Sequence, residues 1–416
     1  MPMPVRSLPT VQNWDCQNCS DCCRTYIVPV TAGEREIIAR QNWSAEPGFE
    51  NLETVVNAGD GDSLAHTADG ACVFLGADNR CRIHAKFGAA AKPKACRIYP
   101  FVLVPAGDHW RVGIRFACPT ATANQGRSLS AHAGELAEYA GLLEADTARS
   151  ATELPPPALR AGQSVPWADL LRFNAALLEL LNEPAYALER RLRQIAALAE
   201  VCKKSRFDAV QGPRLKEFLD VMSAAIVEDV PIRATVPKQG WVGRMLFRQL
   251  AAIYCRKDNG PDAGIASEGK WIRIHSAWRF ARGTGSIPKL HARIPTMTFA
   301  EAEEPAGPIP PEAEALLLRY YRVKVESLQF CGPTNFHRTY WEGLDSLLMT
   351  FPTVLWLARV FARGGPDRLN ATKLALRLVD DSYGYSKLLD AGRQPWAMRT
   401  LADRGEVAKL IAWYAG

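Results

Sequence analysis

The chain has 416 residues and a formal net charge of +6 at pH 7, with acidic and basic residues interspersed. This length is enough for two domains with ordinary hydrophobic cores. The modest charge forms no concentrated basic stripe, so we expect no nucleic-acid partner. Eight of the eleven cysteines lie within the first 118 residues, which indicates either a disulfide framework or a thiolate-ligated metal centre.

The first cysteines open the chain as Cys16-x2-Cys19-x2-Cys22-Cys23. The residues before them contain no apolar stretch typical of a signal peptide, so we expect a cytoplasmic protein whose thiols are reduced. Two-residue spacings also favour a metal, because a turn can direct two thiolates at one ion. A metal centre is therefore the preferred interpretation.

The candidate metal ligands are the eight N-terminal cysteines: Cys16, Cys19, Cys22, Cys23, Cys72, Cys81, Cys96 and Cys118. Zinc takes four tetrahedral ligands, so eight thiols can fill two zinc sites. The first three cysteines also have the spacing of an iron–sulfur run with a later Cys-Pro, which Cys118-Pro119 supplies. The pattern leaves zinc and iron open, the latter as a 4Fe-4S cluster among other forms. Adjacent Cys22 and Cys23 are expected to point apart and to serve different centres, or one centre and none.

Between Cys96 and Cys118 the sequence predicts a β-hairpin. Tyr99 precedes Pro100, which disfavours a helix there, and two apolar runs end at Pro105 and begin at Trp110. The intervening loop comprises residues 106–109. This hairpin would return Cys118 towards the other cysteines.

Other polar residues of this region have weaker patterns. His66, His84 and His109 are expected at the surface or beside the metal ligands without binding the metal, and Cys81-x2-His84 has the best chelating spacing among them. Arg82 and Arg97, next to cysteines, either balance thiolate charge or are plain surface charges.

From residue 129 onwards the apolar residues recur with helical period. The predicted helices are Ala133–Thr147, Trp167–Leu181, Tyr186–Lys203, Lys216–Val227, Trp241–Cys255, Glu312–Phe330, His337–Ala362, Ala371–Val379 and Glu406–Tyr414. Residues 258–312 are rich in Gly and Pro and predict a loop or inserted excursion. The predicted fold class is α+β: a small, loop-rich cysteine-cluster domain with a short β-hairpin (residues 1–128), followed by a mainly α-helical domain (residues 129–416).

The most apolar stretch, residues 344–362, contains Asp345, Pro352 and Arg359. A bilayer-spanning helix needs about twenty residues nearly free of charge, so a buried, proline-kinked core helix and no membrane partner are predicted. Motifs of P-loop, Rossmann, nucleophile-elbow, zinc-protease and radical S-adenosylmethionine enzymes are absent from the sequence.

The ordered motifs together resemble the bacterial CxxCxxCC proteins, the YkgJ-type cysteine cluster family of zinc- or iron-chelating domains. After the opening cysteines come Gly70-Ala-Cys72-Val-Phe-Leu75, Cys81-Arg-Ile-His84, Pro93-Lys-Ala-Cys96-Arg-Ile-Tyr99-Pro100-Phe101 and Cys118-Pro119. The resemblance covers about residues 12–120 and implies metal chelation by the cysteines. The link from Cys81 to Pro93 is slightly longer than the family's, so His84 is not assigned as a ligand.

A more distant resemblance is to flagellin lysine N-methylase, in which a similar domain precedes a mostly helical region. It implies a metal-dependent protein lysine N-methyltransferase that uses S-adenosylmethionine on a protein substrate such as flagellin. The predicted function is therefore metal binding with its reaction left open; the alternatives are this methyltransferase and an interaction or regulatory protein stabilised by its metal.

Overall fold

The computed structural model describes residues 3–57, 61–146, 154–258, 260 and 262–416. Helices and a few small sheets form an α+β architecture, loop-rich in the N-terminal region and mainly helical afterwards. This confirms the predicted fold class.

The N-terminal region contains short elements separated by loops. Its strands are β1 (Val5–Ser7), β2 (Asn13–Trp14), β3 (Val55–Asn57), β4 (Asp62–Leu64), β5 (Phe101–Pro105), β6 (Trp110–Ile114) and β7 (Arg127–Ser128). Its helices are α1 (Asp21–Thr25), α2 (Ala32–Arg40), α3 (Arg82–Phe87), α4 (Lys94–Ile98) and α5 (Pro119–Ala123).

The predicted hairpin is present as β5 and β6, which pair antiparallel from Phe101 opposite Ile114 to Pro105 opposite Trp110. Strand β1 adds to β6 in parallel, giving the sheet order β1-β6-β5. Strand β2 also pairs antiparallel with β7, and β3 with β4, which connects the loops around these strands. Because β6 runs antiparallel to β5, residues 115–118, which follow β6, return to the end of the hairpin at which β5 begins.

The rest of the chain is helical. Its helices are α6 (Ala133–Asp146), α7 (Trp167–Asn182), α8 (Leu188–Lys204), α9 (Pro213–Asp229), α10 (Trp241–Cys255), α11 (Lys270–Arg282), α12 (Phe299–Glu303), α13 (Pro311–Glu326), α14 (Tyr340–Arg363), α15 (Arg368–Ser382), α16 (Gln394–Asp403) and α17 (Glu406–Tyr414). The last residue of the first predicted helix, Thr147, lies outside the described residues.

The prediction that residues 258–312 form a loop is wrong for two of its segments. Helices α11 and α12 lie within this range, and α11 runs for 13 residues. The flanking glycines and prolines concealed α11, and helix α16 was also missed. Packing of Phe280 and Phe299, whose ring centroids are 5.1 Å apart, stabilises both segments on the helical body.

Helix α14 runs through the centre of the helical body. Of the described helices, it is long and apolar enough to cross a membrane by length and composition, but 94% of that apolar window is buried inside the protein. It packs against α15, α17 and α8, and Pro352 lies within it. The predicted buried core helix is therefore confirmed.

Two hydrophobic cores are separate. The larger one contains the β5–β6 hairpin together with the helices of the C-terminal region. The smaller one lies between α2 and α4 and is built on Ile38, Trp43, Phe49, Phe74 and Ile83. The division into domains 1–128 and 129–416 stays a prediction.

Candidate metal centre

The first two cysteines lie on the irregular segment, residues 15–20, that leads into α1. Asn18 and Ser20 have φ angles of 52° and 57°, in the left-handed region, on either side of Cys19. Asn tolerates this conformation better than Ser does. Ser20 is buried, whereas Cys16 and Cys19 are exposed on this loop.

Cys22 and Cys23 occupy the start of α1 and are half-buried. Their sulfur atoms are 3.9 Å apart, so the expectation that the two side chains point apart is wrong. Adjacent helical residues diverge at Cβ, but rotation about the side-chain bonds brings both sulfurs together. Two thiolates bound tetrahedrally at 2.3 Å from zinc are separated by about 3.8 Å, so this pair is within reach of one ion.

Three further cysteines reach α1 from the smaller core. The backbone N–H of Cys72 donates to the carbonyl oxygen of Cys23 at 2.8 Å, which fixes the two segments together. Cys81 precedes α3 and pairs through its backbone with Leu75, while Cys96 lies in α4. Cys23, Cys81 and Cys96 all pack against the core that contains Cys72.

The last predicted ligand, Cys118, follows the hairpin and precedes α5. It is buried, and its thiol interacts electrostatically with the thiols of Cys19 and Cys22. The hairpin therefore returns Cys118 towards the other cysteines, as the sequence predicted.

Seven of the eight predicted ligands form one connected set among the described residues. Thiol–thiol electrostatic interactions and the one close sulfur pair link Cys22 to Cys19, Cys23, Cys72, Cys96 and Cys118, and they link Cys81 to Cys72 and Cys96. Cys16 stands at the exposed end of the same loop. Cys22 is thus the residue on which four separate chain segments converge.

The environment of Cys19, Cys22, Cys72, Cys96 and Cys118 raises the pKa of each thiol and so favours its neutral form. The hydrogen bond with Cys23, followed by burial, holds the pKa of Cys22 far above its ordinary value of 9.0. Burial raises the pKa of Cys72 to about 11 and that of Cys96 to about 12. The ammonium group of Lys92 opposes these increases in pKa at Cys22 and Cys96. A metal would have to displace the protons, because only thiolates bind it.

The described residues contain no group of three or more His, Cys, Asp or Glu side chains placed so as to hold a metal ion. The thiols therefore lie near one another, but among the described residues no three of their sulfur atoms are arranged to bind one metal ion. The donor set nevertheless fits zinc and iron–sulfur chemistry, since both are held by clustered thiolates. The eight cysteines stay predicted ligands.

The histidines and arginines near the cysteines have other partners. His84 is exposed on α3, and His109 Nδ1 lies 2.9 Å from the Asp108 carboxylate at the hairpin turn. Arg97 pairs with Glu138, and Arg82 donates to the Pro47 carbonyl. The cation that does face the thiols, Lys92, was missed, although a basic residue four positions before Cys96 was the available signal.

Helix α15 is hydrogen-bonded to the two segments that carry Cys22 and Cys118. Arg377 donates to the Asp21 carboxylate at 2.8 Å and to the Ala117 carbonyl at 3.3 Å. The Asp380 carboxylate accepts from the Ala117 N–H at 3.0 Å. Its other oxygen lies 2.6 Å from the Lys324 ammonium group, and both side chains are fully buried. The sequence indicated only a helix here, because these partners are distant along the chain.

Two neighbouring cavities lie between α1 and the helical body. The first has a volume of about 350 Å³, and its lining includes Asp21, Ala117, Arg377 and Asp381. The second, of about 310 Å³, shares Thr25, Tyr26 and Asp381 with it. Asp21 and Ala117 directly precede Cys22 and Cys118, so a molecule in the first cavity would lie beside two of the predicted ligands.

Comparison with known proteins identifies the N-terminal region. Residues 15–123 match the model of the family CxxCxxCC, described as "Putative zinc- or iron-chelating domain". No curated protein and no solved structure matches the chain significantly. The matched range contains all eight predicted ligands and ends at the last residue of α5.

Proposed function

From an N-terminal region that matches a zinc- or iron-chelating family, we propose that this protein binds zinc or iron in a thiolate centre built around Cys22. The other ligands would be the seven remaining N-terminal cysteines. Its helical body would hold the segments that carry Cys22 and Cys118 in place.

The gathering of cysteines around Cys22 and Cys23 is the observation that carries this proposal: their sulfur atoms are 3.9 Å apart, and the Cys72 N–H donates to the Cys23 carbonyl at 2.8 Å. Cys19 and Cys118 are almost a hundred residues apart in the sequence, yet each interacts electrostatically with Cys22. Cys72 and Cys96 reach the same thiol from the smaller core. Buried thiols that served only as small apolar residues would have no reason to gather, as the lone buried residues Cys202 and Cys331 illustrate.

The charge of the site supports a polycationic occupant. Several thiolates close together repel one another, and Lys92 is the cation whose charge reaches both Cys22 and Cys96. One ammonium group cannot balance a cluster of thiolates, whereas zinc ions or an iron–sulfur cluster supply positive charge at the sulfurs themselves. Bound metal would also join the smaller core to the hairpin.

Metal and sulfide analysis after anaerobic purification tests this proposal directly. Stoichiometric zinc in a colourless protein would assign zinc, whereas iron with acid-labile sulfide and visible charge-transfer absorption would assign a cluster. Cys22→Ser and Cys72→Ser should each lose metal. Cys202→Ser, which changes a buried thiol in α8, is the matched control and should keep it. Full metal content in both Cys22→Ser and Cys72→Ser would contradict the assignment.

A second candidate is a protein-modifying enzyme, for which a metal-dependent lysine N-methyltransferase is the leading hypothesis. The observation that favours it is the first cavity, whose lining includes the apolar residues Phe361 and Leu374 and aspartates that pair with arginines, such as Asp21 with Arg377. The apolar residues would suit the long alkyl stem of a lysine side chain, whose ammonium group would compete with the guanidinium groups for the carboxylates. The methyl donor would be S-adenosylmethionine, and flagellin is the substrate that the resemblance implies.

Methyl transfer from labelled S-adenosylmethionine to flagellin tests this second candidate with the metal-loaded protein. Pro366→Trp should block the first cavity and abolish transfer without changing the metal content. Pro305→Trp is the matched control, because Pro305 lines a different cavity near α14. Absence of transfer by the unmodified protein would leave metal binding as the function and remove the enzyme hypothesis.

A further inference from the structure

Helix α11 presents an apolar stripe to solvent. Trp271, Ile274 and Trp278 are 81%, 49% and 51% exposed. Spacings of three and four residues place them on one side of the helix. Ser276 and Phe280, on the opposite side, are buried. The stripe therefore faces away from the protein body.

The orientation of this stripe is determined by packing. Phe280 meets the ring of Phe299 edge-on at 5.1 Å, and it lies 6.4 Å from the ring of Trp356 in the central helix α14. The helix ends at Gly283, whose φ of 66° is readily adopted by glycine. Because α11 is held on its buried side, its exposed aromatic residues cannot turn inwards without unpacking Phe280.

Two of the four cations of α11, Lys270 and Arg282, flank the stripe, whereas Arg273 is spaced with the buried Ser276 and Phe280. Helix α11 contains Lys270, Arg273, Arg279 and Arg282 and no acidic residue. Within the described residues, none of these four side chains takes part in an ion pair. The guanidinium of Arg282 lies 4.2 Å from the ring centroid of Trp278. The nearest acidic residue along the chain, Glu268, precedes the helix.

We propose that α11 binds the surface of an anionic lipid bilayer. Trp271, Ile274 and Trp278 would enter the boundary between head groups and acyl chains, and Lys270 and Arg282, the cations that flank them, would contact lipid phosphates. Tryptophan side chains favour this boundary, and basic residues beside an apolar stripe are attracted to anionic lipid. This inference goes beyond metal binding and is independent of it.

The composition of the stripe favours lipid over a single-stranded nucleic acid. Nucleic-acid surfaces also combine cations with aromatic rings, because bases stack on the rings. Here the position between the two tryptophans is occupied by Ile274, which has no face for stacking but adds apolar area. The sequence predicted no membrane contact because its only apolar stretch of sufficient length is the core helix α14.

Co-sedimentation of the full, metal-loaded chain with vesicles tests this proposal. The probes are vesicles of phosphatidylcholine alone and vesicles that also contain phosphatidylglycerol. Lys270 and Arg282 beside the stripe should favour the anionic vesicles about 30-fold at low salt, and added salt should reduce this preference. The double variant Trp271→Ala/Trp278→Ala should lose binding, with its metal content unchanged.

Trp396→Ala is the matched control, since Trp396 is 59% exposed but lies on α16. This control should bind vesicles as the unmodified chain does. The charge variant Lys270→Gln/Arg282→Gln should lose only the preference for anionic vesicles. Equal binding to both vesicle types, or unchanged binding by the double tryptophan variant, would overturn the proposal. So would binding of a single-stranded oligonucleotide or an acidic protein through α11 in the absence of vesicle binding.

Discussion

The guanidinium of Arg377 donates a hydrogen bond to the Asp21 carboxylate at 2.8 Å, across 356 positions of the sequence. Asp21 directly precedes Cys22, and the same guanidinium contacts the Ala117 carbonyl next to Cys118. One side chain of α15 therefore holds two segments of the cysteine cluster. The helical body thus contributes to the placement of the predicted metal ligands.

Arg377→Gln should weaken metal binding while leaving the cysteines intact. Residues that orient metal ligands typically change metal affinity by about 10- to 100-fold, and we expect the lower end of that range here. Competition with a chromophoric chelator measures the affinity. Arg399→Gln, which removes an exposed partner of Glu342, is the control and should leave it unchanged. Equal affinity in both variants would show that α15 does not position the cluster.

The buried pair of Lys324 and Asp380 should contribute strongly to the integrity of the fold. Both side chains are fully buried, and burial lowers the pKa of Lys324 although Asp380 opposes this. Asp380→Asn leaves an ammonium group without its charged partner, which should destabilise the protein by about 3–5 kcal/mol in denaturant unfolding. Lys216→Gln breaks an exposed pair with Asp220 and should change stability by less than about 1 kcal/mol.

The double variant Lys324→Met/Asp380→Asn distinguishes pairing from packing. It removes both charges, so it should be more stable than Asp380→Asn alone. If the double variant loses as much stability as Lys324→Met and Asp380→Asn lose together, the two charges are not coupled.

His291 should make the protein less stable in mild acid. Burial lowers its pKa to about 4 from the ordinary 6.5, and its Nδ1 accepts a hydrogen bond from the Arg293 N–H at 3.2 Å, which requires the neutral ring. The unfolded chain binds a proton below about pH 6.5 and the folded chain does not, so stability falls between about pH 6.5 and pH 4. The total loss from this residue is about 3 kcal/mol.

His291→Gln removes this titration but keeps a side chain that can accept a hydrogen bond. The variant should lose less stability than the unmodified protein when the pH is lowered from 7 to 4.5. His275→Gln is the control, since His275 is exposed on α11. An identical pH dependence in His291→Gln and the unmodified protein would contradict the assignment.

Removal of the metal should loosen the smaller core before the helical body. That core rests on few buried apolar residues, and small cores commonly depend on a metal for stability. After chelation, limited proteolysis should cut first within residues 28–96, while α13 to α15 stay protected. The fragments can be identified by mass spectrometry. Simultaneous cleavage of both regions would show that the metal does not stabilise the smaller core selectively.

Local pattern was sufficient for several elements. Two apolar runs around a four-residue loop predicted the hairpin, and α10 and α17 have the predicted bounds. Helix α11 was missed because its strongest apolar residues, Trp271 and Trp278, face solvent and glycines flank it. A pattern-based interpretation assumes that apolar residues are buried, and this assumption fails where a surface serves another purpose.

The sequence by itself predicted a thiolate donor set, because thiols at close spacing suit few metals and residues 15–123 match a zinc- or iron-chelating domain family. It also determined that a hairpin would return Cys118. Only the tertiary structure decided that Cys22 is the point of convergence and that its sulfur lies 3.9 Å from that of Cys23. Only the tertiary structure showed Lys92, Arg377 and Asp380 to be partners of the cluster segments. Spacing constrains neighbours within a turn or two, whereas contacts across hundreds of residues follow from how the cores pack.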